Sequence, residues 1–233
     1  MSKVIIHIGP HKTGTTYIQH MMVENRHTLP RGVQIIRKSD PLFRAMMMAC
    51  VLQAKGEQDT TALIAQLASE LARDISGDYI LMSDEDILGP LPSRFKYNPL
   101  YGGAMSYLPL IQSAFRAAGH DIQFVFYIRT YMDWLRSLYR FQYADQPDRA
   151  FAPKRYKQKR NLPDDWVALR EQLTHALGSD GITFIDYQTD RQNGHLGTAL
   201  FKMCGMSDAQ INALHWIDPV NVTRPETIDP KNW

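Results

Sequence analysis

Short apolar runs alternate with longer amphipathic stretches along the chain. Val4–Ile8 is β-branched, stops at Gly9-Pro10, and predicts a buried first strand. Gly14 to about Glu24 reads as a helix with Ile18, Met21 and Met22 on one face. Val33–Arg37 is a weaker strand, and Pro41 to Ala54 a helix carrying Leu42, Met46 and a run of methionines. Thr60 to Ile75 is a clearer helix, because Leu63, Leu67, Leu71 and Ile75 recur every four residues. Gly77-Asp78 breaks it. Tyr79–Met82 is another buried strand, with Ser83-Asp84-Glu85-Asp86 at its C-terminal end.

Gly89 to Gly103 is rich in proline and glycine and predicts an irregular surface segment. A helix resumes over Ala104–Ala118, and the nearly all-apolar Ile122–Ile128 has the pattern of a central strand covered on both faces. Tyr131 to Tyr143 follows as a helix with Tyr131, Trp134, Leu135 and Leu138 on one side. Residues 146–163 carry Pro147, Pro153, Pro163 and many cations, and read as a mobile excursion. Asp164 and Asp165 can cap a helix that Gly178 stops; Ile182–Ile185 is a last strand, Leu196–Met203 is helical, and the tail after Pro219 is irregular. Strands alternating with helices predict an α/β fold, a three-layer sandwich with a central parallel sheet and helices on both faces. No linker divides the 233 residues, so a single domain is expected. In such folds ligands sit beyond the C-terminal ends of the strands. This selects 9–16, 83–86, 129–137 and 186–189 for inspection.

Composition removes several classes. No apolar run approaches the ~18–20 residues that span a bilayer, and the N-terminal run reads as a strand rather than a signal peptide, so a cytoplasmic location is expected. The two cysteines, Cys50 and Cys204, lie far apart among methionines and small residues. They read as buried filler, and a cysteine-held zinc is excluded. A net charge of +2 does not by itself mark a nucleic-acid binder.

The strongest local signal is Ile8-Gly9-Pro10-His11-Lys12-Thr13-Gly14-Thr15-Thr16-Tyr17, between a strand and a helix. Free first-turn N–H groups and the helix dipole make such a junction an anion site. Gly14 lets the backbone approach a phosphate, and the threonine hydroxyls add donors. Gly9 and Gly14 have the spacing of the P-loop pattern G-x-x-x-x-G-K-[ST], but Thr15 stands where the lysine belongs. The loop's one lysine, Lys12, lies inside the turn, which suits a shorter anion than a nucleoside triphosphate.

Pro10-His11-Lys12-Thr13-Gly14-Thr15-Thr16-Tyr17 resembles the 5′-phosphosulfate loop of sulfotransferases that use 3′-phosphoadenosine 5′-phosphosulfate (PAPS). His11 stands between the proline and the lysine, as in many bacterial relatives. Phe126-Tyr127-Ile128-Arg129, with Ser137 on the following helix, resembles that family's 3′-phosphate segment: a guanidinium fork at a strand end and a helix hydroxyl. Tyr17 stands where the family has an aromatic against the adenine, and Tyr187, in Asp186-Tyr187-Gln188, where a Tyr-Glu pair ends a strand. Both positions also suit core packing. The C-terminal Arg-Lys-Gly segment of eukaryotic cytosolic members is missing, and Asn221-Val222-Thr223-Arg224 is a candidate substitute.

The resemblance implies transfer of a sulfuryl group from PAPS to a hydroxyl or amine, on a small molecule or a saccharide, with release of adenosine 3′,5′-bisphosphate and no metal. Lys12 is then placed to stabilise the leaving phosphate. An acceptor hydroxyl needs a general base. Glu85 is the first candidate, because three neighbouring carboxylates repel and raise at least one pKa; His11 is its rival, and His7 reads as structural. The basic run Arg149–Arg160 is either a solvated loop, a lid over the anionic donor, or a patch for an acidic acceptor. The aromatics of Pro90–Tyr107 are candidates for an opposite, stacking wall. Two other readings compete: a P-loop nucleoside or small-molecule kinase, which the missing post-glycine lysine disfavours, and a non-catalytic phosphoadenosine-binding module, which Lys12 disfavours.

Overall fold

A computed structural model describes residues 1–218. The sequence expectations for the tail after Pro219, including 221–224, lie outside the described residues. The elements follow in the order β1 (Lys3–Gly9), α1 (Thr15–Glu24), β2 (Val33–Ile36), α2 (Pro41–Lys55), α3 (Thr61–Asp74), β3 (Tyr79–Ser83), α4 (Leu108–Ala117), β4 (Asp121–Ile128), α5 (Tyr131–Gln142), α6 (Pro153–Arg160), α7 (Val167–Leu177), β5 (Ile182–Asp186), α8 (Tyr187–Gln192), α9 (Thr198–Met203) and α10 (Asp208–Asn212).

The five strands form one sheet in the order β2-β3-β1-β4-β5, and every pairing is parallel. Alternation along the strands decides the layers. Val4, Ile6 and Ile8 of β1 join Ile80, Met82, Phe124 and Phe126 against α2, α3, α4, α5 and α7. The opposite face, with Ile5, Leu81, Val125 and Tyr127, packs on α1, α9 and α10. The result is the α/β three-layer sandwich expected from the pattern. Because all strands run the same way, the loops after Gly9, Ile36, Ser83 and Ile128 emerge at one edge. The register pairs His7 with Ser83, Gly9 with Phe126 and Ile128 with Asp186.

Three sequence expectations change. Gly89–Gly103 is not a surface segment. Tyr97, Leu100 and Tyr101 are buried within it, as is Tyr107 just beyond. Irregular backbone can be buried here because tyrosine hydroxyls satisfy its carbonyls: Tyr97 donates to Pro90 O and Tyr107 to Ile87 O. The Ala104–Ala118 helix accordingly splits into a 3-10 turn over Gly102–Ser106 and α4. Residues 146–163 are not a free excursion either, since they contain α6. Tyr156 is buried against Tyr139, Phe151 packs on the same ring, and the Tyr139 hydroxyl donates to Ala150 O at 2.7 Å. On α3 the buried side is Ile64, Ala68, Leu71 and Ala72, while Leu63 is exposed. A strict four-residue repeat drifts round a helix of 3.6 residues per turn, so the leucine ladder cannot stay on one face.

Among the described residues no helix is long and apolar enough to cross a membrane. Both cysteines are buried and free, in line with the filler reading.

Candidate active site

The first strand delivers its glycine loop to the sheet edge in a conformation that the amino-acid types alone would not suggest. Gly14 caps α1 with φ 82°, a region that favours glycine, and a Cβ there would come within 2.3 Å of Leu196 Cδ2 and force that side chain to shift. Lys12 also has positive φ, 70°, a region L-residues seldom adopt. A lysine held where a glycine is favoured carries strain of order 1–3 kcal/mol, which persists only when its surroundings over-determine it. Here they do. The His11 carbonyl accepts from Trp134 Nε1 at 2.8 Å, the Pro10 carbonyl from Thr13 Oγ1 at 2.6 Å, and the Lys12 carbonyl from Arg129 Nη1 at 3.4 Å.

The first-turn N–H groups of α1 have no intrahelical acceptors. Beside them, Thr15 is buried with Oγ1 lacking any partner. Thr13 is buried and committed to Pro10, and Thr16 is exposed. Arg129, half-buried at the end of β4, has a buried Nε without a partner, and its guanidinium lies 5.3 Å from the Tyr187 ring centroid. Tyr187 in turn borders Gly14. Orphaned buried donors are uncommon in native folds. Two of them, Thr15 Oγ1 and Arg129 Nε, in residues flanking one helix N-terminus have the chemistry of an anion site. Ser137 is half-buried in the second turn of α5. Tyr17 is buried among Ile18, Met21 and Leu196, so most of its ring serves the core.

The Lys12 ammonium reaches the same place. Burial and Arg129 push its pKa down, and Glu85 partly restores it, so lysine, carboxylate and guanidinium share one field. Its Nζ lies 4.3 Å from the Phe141 ring centroid.

The acidic run is sorted by the fold. Asp84 is fully buried; burial raises its pKa to about 6 against the opposing pull of Lys38. Its Oδ1 accepts from Asp86 N, starting a 3-10 turn over Glu85–Leu88. For Asp86, burial acts upward, but hydrogen bonds from His11 and Lys38 outweigh it and hold the pKa at about 2. Lys38 lies 3.0 Å from Asp84 Oδ2 and 2.8 Å from Asp86 Oδ2. Glu85 alone is not tied by a cation in this way. It is half-buried, receives a long 3.5 Å contact from Gln19 Nε2, and packs so close to the loop that a Cβ on Gly9 would lie 3.0 Å from Glu85 Cβ. The carboxyl held high is Asp84, chiefly by burial, with the charges of Glu85 and Asp86 adding to it.

His11, the rival base, is buried with both ring nitrogens occupied. Nε2 lies 3.3 Å from Asp86 Oδ1 and Nδ1 3.0 Å from the Tyr101 hydroxyl. An ionised Asp86 can only accept, so Nε2 donates; burial keeps the Tyr101 hydroxyl protonated, so it donates to Nδ1. That tautomer has no free lone pair. His7 is buried against Ser83 Oγ at 2.8 Å and burial lowers its pKa to about 3, consistent with a structural role.

Trp134, Trp166 and Lys38 were missed by sequence reasoning as parts of the site. The two indoles pack at 4.5 Å and donate to His11 O and to Arg129 O, both at 2.8 Å, fastening the loop and the strand end to one aromatic pair. Trp134 carried only a helix-face signal, and Trp166 and Lys38 carried none.

No family model matches the chain, and the search of curated proteins returns no match. Among solved structures, a sulfotransferase from Alicyclobacillus acidocaldarius aligns at 11% identity and TM-score 0.48, over 96% of this chain and 87% of its own. A structure from the PezAT chromosomal toxin–antitoxin system of Streptococcus pneumoniae aligns at 11% identity and TM-score 0.36, over 92% and 87%. Likenesses this distant say nothing of chemistry.

Proposed function

We propose that the chain is a PAPS-dependent sulfotransferase, moving a sulfuryl group to a hydroxyl or amine acceptor. The observation that carries this reading is the position of Lys12. It lies inside the β1–α1 turn, in a left-handed conformation, with Arg129 bonded to its carbonyl and the charge of Glu85 acting on its ammonium. The lysine position of an NTPase loop is occupied by the buried Thr15. The groups present support that chemistry. The first-turn N–H groups and Thr15 hold the 5′-phosphosulfate. Arg129 takes the 3′-phosphate, with Ser137 as a second donor on α5 and Tyr187 beside the guanidinium. The acceptor oxygen attacks sulfur as the bond from sulfur to the bridging oxygen breaks. Lys12 stabilises the negative charge that grows on that oxygen, and Glu85 takes the acceptor's proton. His11 positions Asp86 and the loop rather than carrying a proton. The 90–107 segment supplies Tyr101 to that positioning, while its Tyr97 and Tyr107 are buried in the core.

Binding tests the reading without an acceptor in hand. Adenosine 3′,5′-bisphosphate is expected to bind in the micromolar range, about −8 kcal/mol, without magnesium, and to raise the melting temperature by mass action. Equal or tighter binding of magnesium-ATP in the same calorimetric titration would overturn it in favour of a kinase.

A further inference from the structure

One cation at the site is not used by the donor. Arg94 lies in a turn in which Arg94 N and Phe95 N both bond to Leu91 O, at 2.9 and 3.0 Å. Ser93 is buried on one side and Tyr97 on the other, so an anchored backbone holds an exposed guanidinium. That guanidinium lies 5.4 Å from the centroid of Phe141, the ring that also carries Lys12 Nζ. Phe141 is 41% exposed in the last turn of α5. A cation–π contact at an exposed site is weak, so the ring alone does not satisfy the Arg94 guanidinium. Neighbouring carboxylates do not supply a partner: Lys38 holds Asp84 and Asp86, and His11 also holds Asp86. Among the described residues Arg94 has no carboxylate partner. A guanidinium of this kind is stabilised by an external anion, and the exposed part of the Phe141 ring offers apolar contact beside it.

We infer that Arg94 and Phe141 form the acceptor wall of the site, selecting an acceptor that packs a ring against the exposed part of Phe141 and presents an anionic group to Arg94. Its hydroxyl then falls to Glu85. The class is an anionic ring alcohol, either a hydroxyaryl carboxylate or a uronic-acid sugar. This rests on the sulfotransferase reading above.

The test uses the full chain, free and saturated with adenosine 3′,5′-bisphosphate, and four probes observed by ligand-detected NMR titration. 4-Hydroxybenzoate is set against 4-methylphenol, and methyl glucuronide against methyl glucoside. The anionic member of one pair is expected to bind about tenfold tighter than its neutral partner, the size of one charge-assisted hydrogen bond; the pair that shows it separates aryl from sugar acceptors. Arg94→Ala should abolish the preference and leave bisphosphate affinity within about twofold, while Arg94→Lys keeps part of it. Phe141→Leu should weaken both members of the responding pair. Charge-blind binding, no binding by any probe, or an Arg94→Ala loss that falls equally on the bisphosphate would overturn the inference, the last by giving Arg94 to the donor. A chain that does not bind the bisphosphate but keeps an Arg94-dependent anion preference would overturn the sulfotransferase reading and leave the anionic wall standing.

Discussion

The loop from Gly9 to Thr16 and the run from Ser83 to Asp86 meet at one sheet edge, yet they are satisfied in opposite ways. In the loop the carbonyls are tied down, Pro10 by Thr13, His11 by Trp134 and Lys12 by Arg129. The donors, including Thr15 Oγ1, are left over. In the acidic run the side chains are tied down, Asp84 and Asp86 by Lys38 and Asp86 also by His11. One carboxylate, Glu85, is left over. A reactive group here is what remains after the fold has satisfied its neighbours. On the proposed reading the loop is the anion cradle, and Glu85 is the one base that the acidic run offers.

The largest expected effect tests the acidic side. Glu85→Gln should lower single-turnover sulfuryl transfer by about 10²–10⁴, the range for a positioned general base, while calorimetric affinity for adenosine 3′,5′-bisphosphate holds. If Asp86→Asn gave that loss and Glu85→Gln did not, the sorting of the carboxylates would be wrong.

Lys12→Ala tests the loop side. Charge builds on the bridging oxygen only during transfer, so turnover should fall more than donor affinity. The expected cost is about 2.7–4 kcal/mol in the barrier, or about 10²–10³ in rate. Lys12→Arg should rescue in part, because a planar fork does not replace a compact ammonium. Unchanged turnover in Lys12→Ala would leave the loop as a binding element only.

Arg129→Ala should weaken 3′-phosphorylated nucleotide by ~1.5–3 kcal/mol and barely change adenosine 5′-phosphosulfate, which lacks that group. An equal loss for both ligands would assign Arg129 to fastening the Lys12 carbonyl.

The smallest effect concerns stability alone. The Asp84 carboxyl is raised to about 6 by burial, despite Lys38. The native state therefore holds that proton to higher pH than the unfolded chain, and this contribution to stability is lost as pH rises from about 4 through about 6. Asp84→Asn should remove the loss. His7, lowered to about 3 by burial, has the opposite slope, gaining stability as pH rises towards 6.5, and it remains in the variant. Melting temperatures from pH 4 to 8 should then climb more steeply in Asp84→Asn than in the parent. Parallel curves would mean that Asp84 titrates normally.

The sequence by itself determined the layers and the edge. Alternation in β1 and β4 fixed which side chains face each helical layer, because strand periodicity is a local property of the backbone. The glycine loop, Arg129 and the acidic run were legible for the same reason: each ends or follows an apolar strand. What the tertiary structure decided was pairing. Nothing local distinguishes Glu85 from Asp84 or Asp86. They differ because the fold buries Asp84 fully, the chain after β2 brings Lys38 to two of them, and the β1 loop brings His11 to one. Nothing local marks Trp134 and Trp166 as the two donors that fasten the loop and Arg129, or Tyr101 as the partner of His11. The basic run and the proline-rich segment misled for the complementary reason. Their polarity and turn residues describe the backbone correctly, but burial there is set by tyrosines whose hydroxyls find carbonyls, some of them distant in sequence, and such matches exist only once the chain has folded.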